Sequence, residues 1–533
     1  MGGTTDTALV ADTDPSDPDN VYMIAYENAN QMAGKLKNFQ SMVSGDGSMG
    51  IDKFVNDVYF LNYFKVNVST GESDIIVKGT PETIEYITDG RGHVIGRIDR
   101  TSDVMDHFYV GEREVAKYDV HAGSKIEIAG LAPGGSSILA ISYGEGDKRT
   151  LYNYQFGSST LGGVYFSDPV YDVGGLLTDD WTNQISGVSW VDDKVQVKYF
   201  DPKIEHIEER IEHALPGQSV KVVSWDKTGQ NYVIEADGPK NPDTFYLFSP
   251  QGGQLSIIAS SYPDLTAADL GEERAIVYKS KDGTTIHAYL TLPPGKPAKN
   301  LPTVVLPHGG PEARDGIGFD YLAQFLASRG YAVIQPNFRG SFGYGAAFRD
   351  AGDGQWATGV LDDINGGTEQ LIKDGIADPK RICIFGWSYG GYAALAAATF
   401  TPEHYACAAS MAGVSDLQRN LDRVRDNYGE HSQALSIWEK RMGATIFEGD
   451  KLAAMSPASH ADQVKAPILL MHSDKDITVY VDQSEDEQSA LERAGKSVQF
   501  VKLEGDDHYL FHAETRIQMM KALEAFLAQH IGT

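Results

Sequence analysis

With 533 residues, 41% hydrophobic and 22% charged, the chain is long enough for two or more domains of roughly 100–200 residues each. Its formal net charge of −29 repels phosphate backbones and anionic headgroups, which argues against nucleic acid and membrane surfaces as partners, and no run approaches the ~18 consecutive apolar residues of a membrane span. The only cysteines, Cys383 and Cys407, cannot supply a disulfide framework or a metal cage; both stand in apolar runs that read as neighbouring core strands, where buried free thiols are expected.

The opening Met1-Gly2-Gly3-Thr4-Thr5-Asp6 has neither the basic start nor the apolar centre of a secretory signal. A soluble protein is expected, cytoplasmic by default and periplasmic or secreted if a signal peptide was removed. From about residue 20 to 265 short alternating runs rich in β-branched and aromatic residues are separated by Gly, Asp, Asn and Ser turns, as in Asn20 to Tyr26, Asp57 to Val66, Val188 to Tyr199 and Thr244 to Ser249. This cadence fits propeller blades of four strands, and about 250 residues hold roughly five or six of them; a sandwich or several small barrels is the alternative. One helix interrupts the strands over Asp201 to Pro216, where Ile204, Ile207, Ile211 and Leu215 make an apolar stripe. Its Glu205, Glu208, Glu209 and Glu212 read as a solvated face, although paired glutamates there could also bind a peptide amino terminus.

Two motifs in this half are set aside. Gly45-x-Gly47-x-x-Gly50 lacks the strand and βαβ unit of a dinucleotide site. Asp12, Asp14, Asp17 and Asp19, with Pro15 and Pro18 among them and no closing Glu, read as a solvated turn rather than a calcium loop, and no zinc pattern occurs.

From about residue 272 strands alternate with helices, which predicts a doubly wound, mostly parallel sheet. The domains are therefore expected to be a β-propeller over 1–270 and an α/β domain over 271–533. Its strands read as Arg274 to Tyr278, Thr285 to Thr291, Thr303 to Leu306, Ala332 to Gln335, Ile382 to Phe385, Ala406 to Met411, Ile468 to Met471 and Val498 to Leu503. Its helices read as Phe319 to Ser328, Trp356 to Lys373, Tyr392 to Ala398, Ser484 to Ala494 and Glu514 to His530.

Within this half, Gly386-Trp387-Ser388-Tyr389-Gly390 joins an apolar strand to a helix, the context of a nucleophile elbow. A serine hydroxyl needs a base to take its proton and a carboxylate to orient that base. In α/β-hydrolases these follow in the order Ser, Asp, His at strand ends, which Ser388, Asp476 and His508 satisfy, with Asp474 as a rival acid. His512 reads as a surface residue and His472 as a satisfied core group. Oxyanion donors are expected from the N–H groups of Tyr389 and of Gly310 in Pro307-His308-Gly309-Gly310-Pro311, with His308 structural or gate-lining. Arg339 could grip a substrate carbonyl or carboxylate, or equally brace the loop behind the oxyanion hole.

The four segments His308-Gly309-Gly310-Pro311, Asn337-Phe338-Arg339-Gly340-Ser341-Phe342-Gly343-Tyr344-Gly345, Gly386-Trp387-Ser388-Tyr389-Gly390-Gly391-Tyr392 and the loops holding Asp476 and His508 resemble the prolyl oligopeptidase family, most closely its acylaminoacyl-peptidase-like branch. The resemblance covers about residues 272 to 530. It implies an α/β-hydrolase capped by a β-propeller; many relatives have seven or more blades, more than this length holds, so either blades lie outside this sequence or the propeller is small or open. It implies a serine peptidase acting on short peptides with Ser388 as nucleophile, Asp476 as orienting acid, His508 as base, and a P1 pocket near Tyr389, Val414, Leu417 and Val479. No cofactor or metal is implied, and a homo-oligomer stays open. The alternatives are a carboxylesterase on the same triad, and a propeller-based binding protein with an inert hydrolase domain.

Overall fold

Strict alternation decides the amino-terminal architecture: Tyr232–Gly238 and Asn241–Ser249 each bury every second residue, the signature of a sheet with one face packed. The computed structural model describes residues 8–532 apart from 15, 29–58, 102–104, 120–125, 136, 145, 155–160, 180, 183 and 431. The Gly45 to Gly50 motif lies outside the described residues. Among those described, five antiparallel meanders occupy 8–77, 83–119, 127–166, 173–199 and 219–260, each of four strands except the three-stranded fourth. The second, third and fourth sheets share cores. Ile87, Ile98 and Phe108 of the second pack with Ile128, Ile138 and Tyr154 of the third, while Leu139, Ile141 and Leu151 of the third pack with Val173, Ile185 and Val188 of the fourth. One meander cannot bury its faces alone, and stacking of successive blades is the propeller solution.

Three expectations in this half are corrected. Val188 to Tyr199 is not one strand: it breaks after Ile185–Val191 and resumes at Val195–Tyr199, because Asp192 Oδ1 accepts the N–H of Lys194 at 2.9 Å and closes a turn. The glutamates of the helix Pro202–Ala214 are not all solvated. Glu208 falls on the stripe of Ile204, Ile207 and Ile211 and is buried with them, while Glu205 pairs with Lys198. In the acidic turn near the start Asp14 accepts from Ser16 and Asp17 pairs with Lys65 of the third strand, whereas Asp12 is buried rather than solvated and accepts from Thr88 Oγ1 at 2.8 Å.

The carboxy-terminal half holds eight strands: β1 Glu272–Lys279, β2 Thr285–Leu292, β3 Leu301–Val305, β4 Ala332–Asn337, β5 Ala377–Trp387, β6 Cys407–Met411, β7 Ile468–Ser473 and β8 Val498–Leu503. Their order is β1-β2-β4-β3-β5-β6-β7-β8, with β2 antiparallel to both neighbours and the rest parallel. This is the α/β-hydrolase sheet, and every residue of β3, β4, β6 and β7 is buried, as strands covered on both faces require.

Alternate strand residues sort the two faces. Val304, Val333, Phe385 and Leu469 pack against α1 (Tyr321–Ser328) and the last helix, Ala513–His530, whereas Val305, Ile334, Ile384 and Leu470 face helices on the opposite side. The other helices are α2 Ala346–Asp350, α3 Gly359–Lys373, α4 Tyr389–Phe400, α5 Leu417–Tyr428, α6 Gln433–Met442, α7 Gly449–Met455 and α8 Asp482–Arg493; the last is α9. No helix among the described residues is long and apolar enough to cross a membrane.

The thiols expected to be free are joined instead: Cys383 and Cys407 form a disulfide. Parallel β5 and β6 set the two residues directly opposite in register, with Cα atoms 4.7 Å apart, inside the span a disulfide bridges. Compactness also divides the chain elsewhere than at 270/271. Residues 191–196, 208–223 and everything from Gln230 onward cluster as one unit, so most of the fifth meander goes with the eight-stranded sheet.

Candidate active site

The elbow is built where β5 meets α4. Ser388 lies between them at φ 59° and ψ −120°, a left-handed conformation that costs a non-glycine residue of order 1–3 kcal/mol and concentrates at functional sites. It is pinned on both sides: its N–H donates to Met411 O at 2.9 Å and its carbonyl accepts from Tyr392 N at 3.0 Å. The flanking glycines are demanded by space. A Cβ on Gly386 would stand 2.1 Å from Gly390 O, and one on Gly390 would stand 2.2 Å from Pro307 O.

Asp476 and His508 leave the ends of β7 and β8 and meet. The imidazole Nδ1–H of His508 donates to Asp476 Oδ2 at 2.6 Å, while Asp476 Oδ1 accepts the N–H groups of Thr478 and Val479, both at 2.8 Å. Burial alone would push this carboxyl up, but hydrogen bonds from His472 and His508 outweigh it and hold it at about 2, so it is ionised at neutral pH. The backbone of His508 is also tied to the elbow, since its carbonyl accepts from the indole N–H of Trp387 at 3.0 Å. Among the described residues, none is hydrogen-bonded to Ser388 Oγ. Histidine–serine contacts of this kind are often long before a substrate tightens them.

The rival groups are otherwise employed. Asp474 accepts the N–H of Gly505 at 2.7 Å and so staples the two loops together. His472 is fully buried inside β7, bonded to Ser484 Oγ at 2.8 Å and Val479 O at 2.7 Å, with Asp476 Oδ2 at 3.3 Å. His512 is exposed and pairs with Asp506. Asp506 escaped the sequence reading: it accepts the N–H groups of Asp507, Phe511 and His512 and shapes the turn around His508. No signal in Asp506-Asp507-His508 tells the buried structural aspartate from its half-buried neighbour.

The loop after β3 runs beside the elbow. A Cβ on Gly309 would lie 3.3 Å from Trp387 O and 3.6 Å from Ser388 Cβ, and Gly310 has φ 120°, a conformation reserved for glycine. His308 is a strut. Its Nδ1–H donates to Gly309 O at 2.7 Å, Nε2 faces Ser341 Oγ at 2.8 Å, and the ring stacks on Phe338 at 4.3 Å. Burial pulls its imidazole down to about 4, which keeps it neutral. Tyr389 opens α4, where first-turn amides have no partner within the helix, and its ring is buried against Phe338, Trp356 and Tyr392.

Arg339 is held by two carboxylates. Its backbone N–H and Nε bond Asp363 Oδ2 at 2.9 and 2.8 Å, Nη2 bonds Asp363 Oδ1 at 2.6 Å, and Nη1 reaches Asp282 at 2.9 Å. Val414, Leu417 and Val479 are buried in the same cluster as Tyr389, with Leu417 fully enclosed at the head of α5.

The model of the prolyl oligopeptidase family matches residues 317–533. Dipeptidyl aminopeptidase BIII of Pseudoxanthomonas mexicana is 30% identical over 504 residues, covering 89% of this chain and 70% of that protein. Dipeptidyl peptidase family member 6 of Caenorhabditis elegans is 29% identical over 341 residues, 60% of this chain and 46% of that protein, so the chain spans about half of its length. The Pyrococcus horikoshii acylaminoacyl peptidase structure superposes with a TM-score of 0.70 over 97% of this chain and 81% of that one at 17% identity, which shows a shared propeller-plus-hydrolase fold. A serine elbow on an α/β-hydrolase sheet, preceded by propeller blades and matched along most of the chain by such a relative, places this protein in the prolyl oligopeptidase family of serine peptidases.

Proposed function

We propose that the chain hydrolyses short peptides through an acyl-enzyme on Ser388. His508 Nε2 takes the hydroxyl proton as Oγ attacks the scissile carbonyl, and the resulting oxyanion is received by the N–H groups of Tyr389 and Gly310. His508 then gives that proton to the leaving amine as the C–N bond breaks. Water, deprotonated by the same nitrogen, releases the acyl group and restores the serine. Asp476 fixes the tautomer in which Nδ1 carries hydrogen and Nε2 is free, and it balances the imidazolium that forms.

The observation that carries this reading is the 2.6 Å bond from His508 to a buried, ionised Asp476, in a loop tied to the strained serine through Trp387. The dipeptidyl names of the two relatives favour release of dipeptides from free amino termini.

On a peptide anilide, Ser388→Ala should lower kcat by about 10⁶ with an unchanged circular dichroism spectrum, and activity within about tenfold of the parent would remove the assignment. Anilides with free and acetylated amino termini test the release mode. Turnover of the acetylated set alone would replace dipeptidyl by acylaminoacyl release, and turnover of p-nitrophenyl esters without anilides would make the protein an esterase.

A further inference from the structure

We infer that Arg314 is the positioning residue of the oxyanion loop, an inference that rests on Gly310 as a donor. Arg314 follows Gly310 by four residues and spreads its guanidinium over backbone and phenol oxygens from three other segments. Nη1 donates to Val191 O at 2.9 Å, and Nη2 to Asp192 O at 2.8 Å, Tyr344 Oη at 2.9 Å and Tyr289 Oη at 3.3 Å. The cation also lies 4.4 Å from the centre of the Tyr344 ring. A Cβ on Gly343 would meet Nη1 at 2.8 Å, so the chain there is shaped to admit the side chain.

Arg314 is the hub of a longer seam. Tyr344 Oη also accepts from Asn337 Nδ2 at 2.8 Å, and the Asn337 amide grips both the N–H and the carbonyl of Asp315, at 2.8 and 3.0 Å. Phe342 N donates to Ala313 O at 3.0 Å, and Ile317 N to Asp193 O at 2.6 Å. The stretch after Gly310 is thus held from one side by the segment between β4 and α2, and from the other by the 191–193 turn of the fourth meander. That turn belongs to the compact unit of the catalytic sheet.

The chemistry explains why an arginine stands here. Oxyanion donors accelerate a reaction only if they are aimed before charge develops, so a loop carrying one must be rigid. Arginine's planar fork of five donors locks several acceptors in one geometry, whereas lysine offers a point charge on a flexible stem. The loop would therefore lose its aim, and not its substrate, when the fork is removed.

The test compares Arg314→Met and Arg314→Lys with the parent, all full length, for kcat and KM on a peptide anilide and for inhibition by a peptidyl trifluoromethyl ketone, whose adduct with serine carries an oxyanion. Arg314→Met should lower kcat about 10- to 100-fold with KM within about twofold, and should weaken the ketone by a similar factor; Arg314→Lys should fall between it and the parent. If Arg314→Met fails to fold, the intermediate loss in Arg314→Lys, shared by kcat and ketone affinity, carries the test. A kcat within about twofold of the parent in every folded variant, or a kcat loss with unchanged ketone affinity, would overturn the inference. Ser388→Ala run alongside separates the failures: if it still turns over, the acyl-enzyme reading falls, and if it is inactive beside a fully active Arg314→Met, only the role of Arg314 falls.

Discussion

Glu487 on α8 has no exposed surface, and neither carboxylate oxygen has a hydrogen-bond partner among the described residues. Burial pushes its carboxyl up to about 8, so the folded protein holds it protonated at neutral pH. A free glutamate titrates near 4.3. The folded pKa is the raised one, so the stabilising contribution is complete below about pH 4 and is lost as pH rises towards 8, because only the unfolded chain releases the proton. Glu487→Gln removes that dependence. It should melt higher than the parent at pH 8, with the gap closing towards pH 5; thermal scans across the range check this, and a gap independent of pH would refute it. Such a residue is invisible in the sequence, where Ser484 to Ala494 reads as an amphipathic helix with several acids and nothing marks the one that faces inward. Spacing from a strand end left Asp474 and Asp476 as rivals, and in the sequence only the family resemblance separated them; in the structure Asp476 accepts from His508 and Asp474 from Gly505.

Elements are joined by pairs that local pattern does not reveal. The brace between Arg339, just past β4, and Asp363 on α3 is one, with the carboxylate fully buried and the guanidinium nearly so. Removing one member of a buried pair strands the other, so Asp363→Ala should cost about 3–5 kcal/mol in denaturant unfolding of the full-length chain. A loss below about 1 kcal/mol, the size of a surface pair, would mean that water replaces the carboxylate. The eight strands of the catalytic sheet and its major helices were readable because buried parallel strands are continuous apolar runs bounded by helices of clear period. Helices α5 to α7 were not: α5 is mostly charged and polar and buries only Leu417 and Leu421. The disulfide was missed for a related reason, since pairing of Cys383 with Cys407 is set by strand register rather than by spacing.

A net charge of −29 also acts at long range. Field from many carboxylates concentrates cations and repels anions before any contact forms, which affects association more than chemistry. Between two peptide anilides that differ by Lys or Glu at a position remote from the cleaved bond, the lysine peptide should show the higher kcat/KM at low salt. The difference should shrink between 10 mM and 1 M salt, as the Debye length falls from about 30 to about 3 Å. A ratio indifferent to salt would show that the acidic surface does not steer substrate.

The class of chemistry and the two-part architecture were written in the order of residues: a serine between glycines after a strand, an acid and a histidine after two later strands, and meanders before them. Order and period survive in one dimension because strands and helices impose them locally. The surroundings of Arg314, Arg339, Glu487 and the two cysteines were decided by folding, because sheet order, register and burial choose them. Arg314 meets Val191 across 123 residues, and no local rule of spacing anticipates a contact of that length.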